Sequence, residues 1–433
     1  MKKIFKKIIV WILQAEAKLV LKKYKPKVVA VTGSVGKTST KDAIYVALSS
    51  AFFVRKSEKS FNSEIGVPLT ILGCHNAWNN PLSWGRNIFI GLGVILLKNH
   101  YPKWLVLEVG ADAPNDIKNI ACWLKPDVVV LTKFATVPVH VEFFESPQNL
   151  IDEKKKLVEY LKKDGVLILN NDDQNMKSIQ PPEGIRKILF GFEEDSEIRG
   201  SHYQIVYEDS KPKGLTFKID YAGKSVPITL KGILGQHQVL PALAALSVAI
   251  SQGLNVVTVS QALGKRERLQ PGRMHLIEGI KKTVILDDSY NSSPVAARKA
   301  VETLGDIKTE ASRGRRIAVL GDMLELGRYS TEEHKKLGKI VATNCDFLVA
   351  VGIRAKEIAE GALLGGMSEK NILQFEKSEE AGKYLQNFIT EGDIILVKGS
   401  QSIRTEKVIE EIMAQPEKKV DLLVRQESEW LKR

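Results

Sequence analysis

The sequence predicts an α/β protein of two units, each organised around a parallel β-sheet, with a small antiparallel sheet attached to the first. Three observations carry that expectation. Uninterrupted Val/Ile/Leu runs recur along the chain, separated by helix-length segments, the pattern of strands covered by helices on both faces. Between residues 191 and 231 the texture changes to short alternating segments (YQIVYED, LTFKIDY, SVPITL), as an antiparallel sheet with one wet face requires. Pro271 and Gly272 then punctuate LQPGR at 269–273, which reads as a hinge between the units.

The first element is a basic tail. Residues 1–27 hold nine lysines and one acid, Glu16, a net +8 of the chain's +12. The basic balance therefore belongs to one short segment, not to a nucleic-acid-binding face, and no nucleic acid is expected as a partner. Ile4, Ile8, Trp11, Ile12, Ala15 and Leu19 recur at helical spacing with lysines beside them, predicting an amphipathic helix over residues 1–25. Such a helix either packs on the protein's own body or makes peripheral contact with an anionic membrane surface. A secretion signal is not expected, because no small-residue cleavage site follows and charge resumes at Glu16 and Lys18. Residues 8–15 and 87–97 are too short to cross a bilayer, which needs about 20 apolar residues, and 65–85 is broken by Pro68, Pro81 and asparagines.

Pro26 ends the tail helix, KVVAVT (27–32) reads as a buried strand, and 38–50 as the helix after it. Further strands are expected at 104–109, 128–132, 166–170, 284–287, 317–320, 347–351 and 394–397, with an Ala/Leu-rich helix at 239–253. The expected division is a tail at 1–25, a first unit at 26–270 and a second at 271–433. A length of 433 residues suits two or three domains, and 44% hydrophobic with 26% charged residues excludes a disordered or collagen-like chain. Cys74, Cys122 and Cys345 lie too far apart for a disulfide framework or a cysteine-rich zinc site and fit a reducing cytoplasm.

Residues 31–40, VTGSVGKTST, sit between a strand and a helix, the setting a phosphate-binding loop needs. Gly33 and Gly36 allow the tight turn that aims the N–H groups of Ser34, Val35 and Ser39 and the helix N-terminus at phosphate oxygens. Lys37 offers a cation for β/γ-phosphates and the Thr38 hydroxyl a ligand for Mg²⁺. The strict GxxxxGK[ST] spacing is not met, since its first glycine would fall at Val31, and no guanine-reading NKxD box follows. Glu108, at the end of the LVLEV strand, is placed to hold Mg²⁺ directly or through water.

Together, TGSVGKTSTKD, FNSEIGVPLT, LVLEVGADAPNDI, HVEFFES, LNNDD, LQPGRMH, LDDSYNSSP, AVLGDMLELG and LVKGS resemble the Mur ligases, most closely the MurF type. The resemblance implies a phosphate-loop central ATP-binding domain, then a Rossmann-like C-terminal domain. It also implies ATP-dependent amide synthesis through an acyl phosphate, with ATP and two Mg²⁺ ions. By resemblance, Lys37 and Thr38 serve the γ-phosphate and first Mg²⁺. Glu108 and His140 resemble ligands of the second, and Lys154 resembles a lysine that CO₂ converts to a carbamate. Arg273 resembles an arginine that reaches the phosphates on domain closure, Asp288 an acid that holds the ribose, with Tyr290 and Asn291 beside the nucleoside. Asn62, Ser63 and Glu64 resemble a segment lining the acyl-substrate side, and Lys398 and Ser400 the loop that approaches acceptor or acyl substrate.

Two departures qualify the resemblance. The family's adenine-contacting HNxxN appears here as GQHQVLP, in which Gln238 still offers an amide but Pro241 replaces the second asparagine. Only about 25 residues precede the first strand, so the N-terminal domain that grips the uridine-diphosphate end of a MurF substrate has no expected counterpart. The leading expectation is a monomeric cytoplasmic ligase, peripheral at the inner membrane surface or free of it. By the resemblance, it would add D-alanyl-D-alanine, or a similar short peptide, to the carboxylate of a nucleotide-sugar peptide, UDP-N-acetylmuramoyl peptide, or of another acyl peptide, in peptidoglycan-precursor synthesis. Alternatives are a Mur-fold ligase for another polyanionic acid, like folylpolyglutamate or cyanophycin synthetases, and an inactive nucleotide-binding scaffold.

Overall fold

A computed structural model describes residues 2–58, 60–78, 80–265, 270–309, 314–427 and 430; the side chains of residues 2–5, Ile4 among them, lie outside that description, as does Leu269 of the expected hinge. Nine strands form the first sheet: β1 (Lys27–Thr32), β2 (Val54–Lys56), β3 (Trp104–Glu108), β4 (Val128–Leu131), β5 (Val166–Asn170), β6 (Arg186–Gly191), β7 (Ile198–Glu208), β8 (Lys211–Tyr221) and β9 (Lys224–Lys231). Their order is β2-β3-β1-β4-β5-β6-β7-β8-β9. β1 to β6 run parallel, whereas β7, β8 and β9 pair antiparallel. The antiparallel part is continuous with the rest, because β6 meets β7 through a short parallel pairing, Phe190 with Ile198 and Gly191 with Arg199.

Alternation along the central strands divides the core in two. Val28, Ala30, Leu105, Leu107, Val129 and Leu131 face one buried cluster; Val29, Val31, Val106, Val128 and Val130 face the other. The helices α1 (Lys2–Tyr24), α3 (Gly66–Leu72), α4 (Pro81–Leu96), α5 (Asp116–Leu124) and α6 (Pro147–Glu159) cover the first face, while α2 (Lys37–Ser49), Val239–Ser251 and Val256–Gly264 cover the second. A six-stranded sheet follows: β10 (His275–Glu278), β11 (Val284–Asp288), β12 (Arg316–Gly321), β13 (Phe347–Val351), β14 (Ile372–Phe375) and β15 (Ile394–Lys398), ordered β10-β11-β15-β12-β13-β14. Only β10 runs antiparallel.

The tail is a helix, but its buried side differs from the expected stripe. Ile9, Leu13, Ala17 and Val20 are the residues that bury, whereas Ile8, Trp11 and Leu19 stand about half exposed or more (51%, 71% and 51%). α1 carries apolar residues on two adjoining flanks, and only contact with α3 and α4 decides which one is covered. Its C-terminal end is tied down: Lys23 Nζ donates to the Val94, Ile95 and Leu97 carbonyls at the end of α4, and Tyr24 stacks on Tyr101 at 4.5 Å. α4, unassigned from the sequence, begins where Asn80 Oδ1 accepts from the Leu82 and Ser83 N–H groups and Pro81 occupies the first turn. No described helix is long and apolar enough to cross a membrane.

Candidate active site

A cavity of about 610 Å³ lies where the C-terminal ends of β1, β3 and β4 face those of β11 and β15. Ligands of open α/β sheets bind outside such strand ends. Gly33 takes φ +146°, and a Cβ there would stand 2.1 Å from Thr132 Oγ1, so only glycine fits this approach to the neighbouring strand. Gly36 takes φ +84° and leads directly into α2. Ser34, Val35, Gly36, Lys37, Thr38 and Ser39 line the cavity, with Lys37 folded back so that its Nζ donates to the Gly33 carbonyl at 3.1 Å. Burial depresses the Lys37 pKa, with the Arg273 charge acting in the same direction and Glu108 opposing both.

Glu108 is almost fully buried (1% exposed) and accepts from the Thr38 hydroxyl at 2.8 Å and the Asn62 amide at 3.2 Å. Its carboxylate and the Thr38 hydroxyl are hard oxygen donors in contact, a set that fits Mg²⁺. Asn62 lines the cavity, while Ser63 and Glu64 are exposed on the same loop, outside the lining. Glu64 instead pairs with Lys6 of α1 at 3.2 Å.

α6 explains which member of its lysine run faces inward. Ser146 caps it and Pro147 starts it, so Leu150, Ile151, Leu157 and Val158 bury against the sheet. The same side carries Lys154, 3% exposed, whose Nζ donates to Ser34 Oγ at 3.1 Å just behind the phosphate loop. Lys155 and Lys156 point outward and pair with Asp152 and Glu153. Burial and the nearby Lys37 charge push the Lys154 pKa well below the usual lysine range. His140 lines the cavity at φ +71°, its Nδ1 2.9 Å from Glu325 of GDMLELG and its Nε2 3.6 Å from Asp112. That contact holds the Glu325 carboxyl below its usual pKa. Glu108 and His140 thus share the cavity, yet no group of three or more His, Cys, Asp or Glu converges as a metal cluster among the described residues.

The second sheet supplies the opposite wall. Arg273 Nη2 donates to Thr38 Oγ1 at 3.2 Å, its guanidinium stacks on the Tyr290 ring at 4.1 Å, and Tyr290 Oη donates to Ser60 Oγ at 2.8 Å. Arg273 Nε is buried without a partner among the described residues. Asp288, Tyr290, Asn291 and Gln238 all line the cavity. Lys398 lines it as well, but its Nζ is held by Asp288 Oδ2 at 2.5 Å and by the Asn291 carbonyl at 2.9 Å, so its first role is to fix the Asp288 loop. Burial raises the Asp288 pKa and the Lys398 charge opposes the rise. Ser400, expected to approach substrate, is turned away: it is buried and its Oγ accepts the Leu324 N–H at 2.9 Å, bracing the GDMLELG loop. Lys133, Asp172, Phe192, His237 and Lys299 also line the cavity and were not singled out from the sequence; Asp172 lies within LNNDD and His237 within GQHQVLP, but only the folded arrangement turns them to the wall.

Two family profiles match the chain: the Mur ligase middle domain over residues 86–249 and the Mur ligase glutamate ligase domain over residues 272–401. The chain belongs to the Mur ligases. The UDP-N-acetylmuramoyl-tripeptide–D-alanyl-D-alanine ligase of Bacillus subtilis is 27% identical over 410 residues, covering 93% of this Mur ligase and 79% of the relative. The Escherichia coli ligase of the same name is 26% identical over 387 residues, covering 88% and 76%. Among solved structures, MurF from Thermotoga maritima in complex with ADP superposes with a TM-score of 0.76 at 25% identity, covering 95% of this chain and 84% of that one. This Mur ligase is accordingly an ATP-dependent enzyme that forms a peptide bond.

Proposed function

We propose that this chain adds D-alanyl-D-alanine, or a closely similar dipeptide, to the terminal carboxylate of a UDP-N-acetylmuramoyl peptide in peptidoglycan precursor synthesis. The names of its relatives support that reading. The observation that carries it is the approach of Arg273 to Thr38, which brings the second unit (271–433) onto the phosphate loop of the first (26–270). A substrate carboxylate attacks the γ-phosphorus, ADP departs, and the dipeptide amine then attacks the acyl carbon as phosphate leaves and the nitrogen loses a proton. Lys37, from the phosphate loop, and Arg273, from the facing wall, would stabilise the charge of the transferring group. Thr38 would hold one Mg²⁺; Glu108, His140 and a carbamylated Lys154 would hold a second. Bound there, the ions supply neutralisation of phosphate charge.

The neutral amine that burial favours at Lys154 is the form that adds to CO₂; the N–C bond forms and one proton leaves. Asp288, Tyr290, Asn291 and Gln238 would receive the nucleoside, and Asn62 the acyl peptide, as a monomer working in the cytoplasm. α1 would touch the inner membrane surface peripherally. The test is ADP release that depends on the added amine, measured across candidate acids and dipeptides with ¹⁸O in the acyl carboxylate. The expected result is turnover with a UDP-muramoyl peptide plus D-alanyl-D-alanine and ¹⁸O in the released phosphate. Nucleotide binding with no turnover on any muramoyl peptide would overturn it.

A further inference from the structure

The surface formed by α1 and α4 carries a feature the ligase reading does not use. Within α4, Leu82, Phe89, Leu96 and the following Leu97 are 85%, 75%, 76% and 64% exposed, while Trp84, Asn87 and Gly91 on the opposite side are buried. A 16-residue helix in a soluble fold normally turns such residues inward. α1 lies beside it: Glu16 abuts Gly91, and Lys23 caps the α4 C-terminus. At 100° per residue, Ile8, Ile12, Ala15 and Leu19 share the flank of α1 that bears Glu16 and Lys23, so its uncovered apolar residues adjoin α4.

The rim of this patch has one sign of charge. Lys7, Lys22, Arg86 and Lys98 are exposed around it, and no acidic residue occurs between Glu64 and Glu108; the acid within α1, Glu16, is buried. A two-fold contact between copies would set these cationic rims against each other. An anionic lipid surface complements them, accepting apolar side chains to the depth of the acyl boundary while lysines meet headgroups. Trp11, 71% exposed, and Phe89 suit that boundary.

We propose that α1 and α4 together form a two-helix platform that docks this protein, peripherally and reversibly, on an anionic phospholipid bilayer. The proposal goes beyond the ligase reading by assigning α4, not the basic tail alone, as a lipid-contacting element.

The test is co-sedimentation of the full chain with phosphatidylglycerol/phosphatidylcholine vesicles and with phosphatidylcholine vesicles, alongside a Phe89→Glu/Leu96→Glu variant. Expected are binding to the anionic vesicles, weak binding to the neutral ones, and at least about a tenfold smaller bound fraction for the variant. Circular dichroism melting and amine-dependent ADP release without vesicles should match the unsubstituted protein, since neither residue lines the cavity. Absence of binding to either vesicle would overturn the platform. So would equal binding by the variant, which would leave attraction by the lysines alone, or a dimer in solution that the variant abolishes. ADP release is read separately, so failure of the platform and failure of the ligase reading are distinguishable.

Discussion

The cleft and the α1–α4 face break the usual partition of side chains in opposite directions. At the cleft the protein buries charge: Lys154, Asp288, Glu108 and Lys398 are all nearly inaccessible. At the helix pair it exposes Trp11, Leu82, Phe89 and Leu96. Buried charge is tolerated where partners or a polar ligand replace water, and exposed apolar surface persists where something outside the fold covers it. The cleft solves half of its problem internally, through Thr38–Glu108, Lys398–Asp288 and Arg273–Tyr290. At the helix pair, among the described residues, those four side chains stay largely uncovered, and the proposed lipid docking rests on that exposure.

The sharpest way to break this contrast is at the phosphate loop. Lys37→Ala should lower amine-dependent ADP release by about 10³-fold or more, because Lys37 is the cation that the phosphate loop itself carries; a loss under tenfold would mean that Lys37 only braces Gly33. Arg273→Ala should cost about 10²-fold in kcat while nucleotide affinity, measured by calorimetry, changes far less, since the arginine comes from the opposite wall. Lys154→Ala should be about as damaging, and added short carboxylic acids should restore part of the rate by occupying the vacated anionic position. Absence of rescue would remove the carbamate from the scheme.

The smallest effect tests the helix pair itself. Glu16 is 4% exposed, neither carboxyl oxygen has a hydrogen-bond partner among the described residues, and burial raises its pKa from 4.5 to about 7. The folded state then keeps a proton that the unfolded chain loses, so stability falls as pH rises from about 4.5 to about 7 and stays lower above it. Glu16→Gln should flatten that slope and add about 1–3 kcal/mol above pH 7, with little change below pH 4.5, read from urea midpoints. An unchanged pH profile would show that Glu16 already finds a partner or water.

Much of the cleft was legible because its chemistry is local. VTGSVGKTST announces a turn, a cation and a hydroxyl within ten residues, and the structure places all of them on one cavity wall. Lys154 was harder to read, since three adjacent lysines look like a solvated face; the Ser146 cap sets the phase that turns only one inward. Ser400 accepts the Leu324 N–H, a contact that a KGS loop beside a cavity does not reveal in the sequence. α4 goes unassigned in the sequence because residues 87–97 are weighed only as a membrane span, whereas the Asn80 cap, the Pro81 start and the Lys23 side chain at its end stabilise a helix there.

By itself the sequence determined what depends on neighbours along the chain: the strands, the loop that receives phosphate, the alternation that splits each sheet's two cores, and the amphipathic character of α1. Tertiary structure alone decided which flank of α1 is covered and that Arg273 meets Thr38 across 235 residues. The reason is physical. Local propensity and periodicity act through contacts a few residues apart, whereas the choice between two apolar flanks is made by the shape and charge of a surface assembled from distant segments.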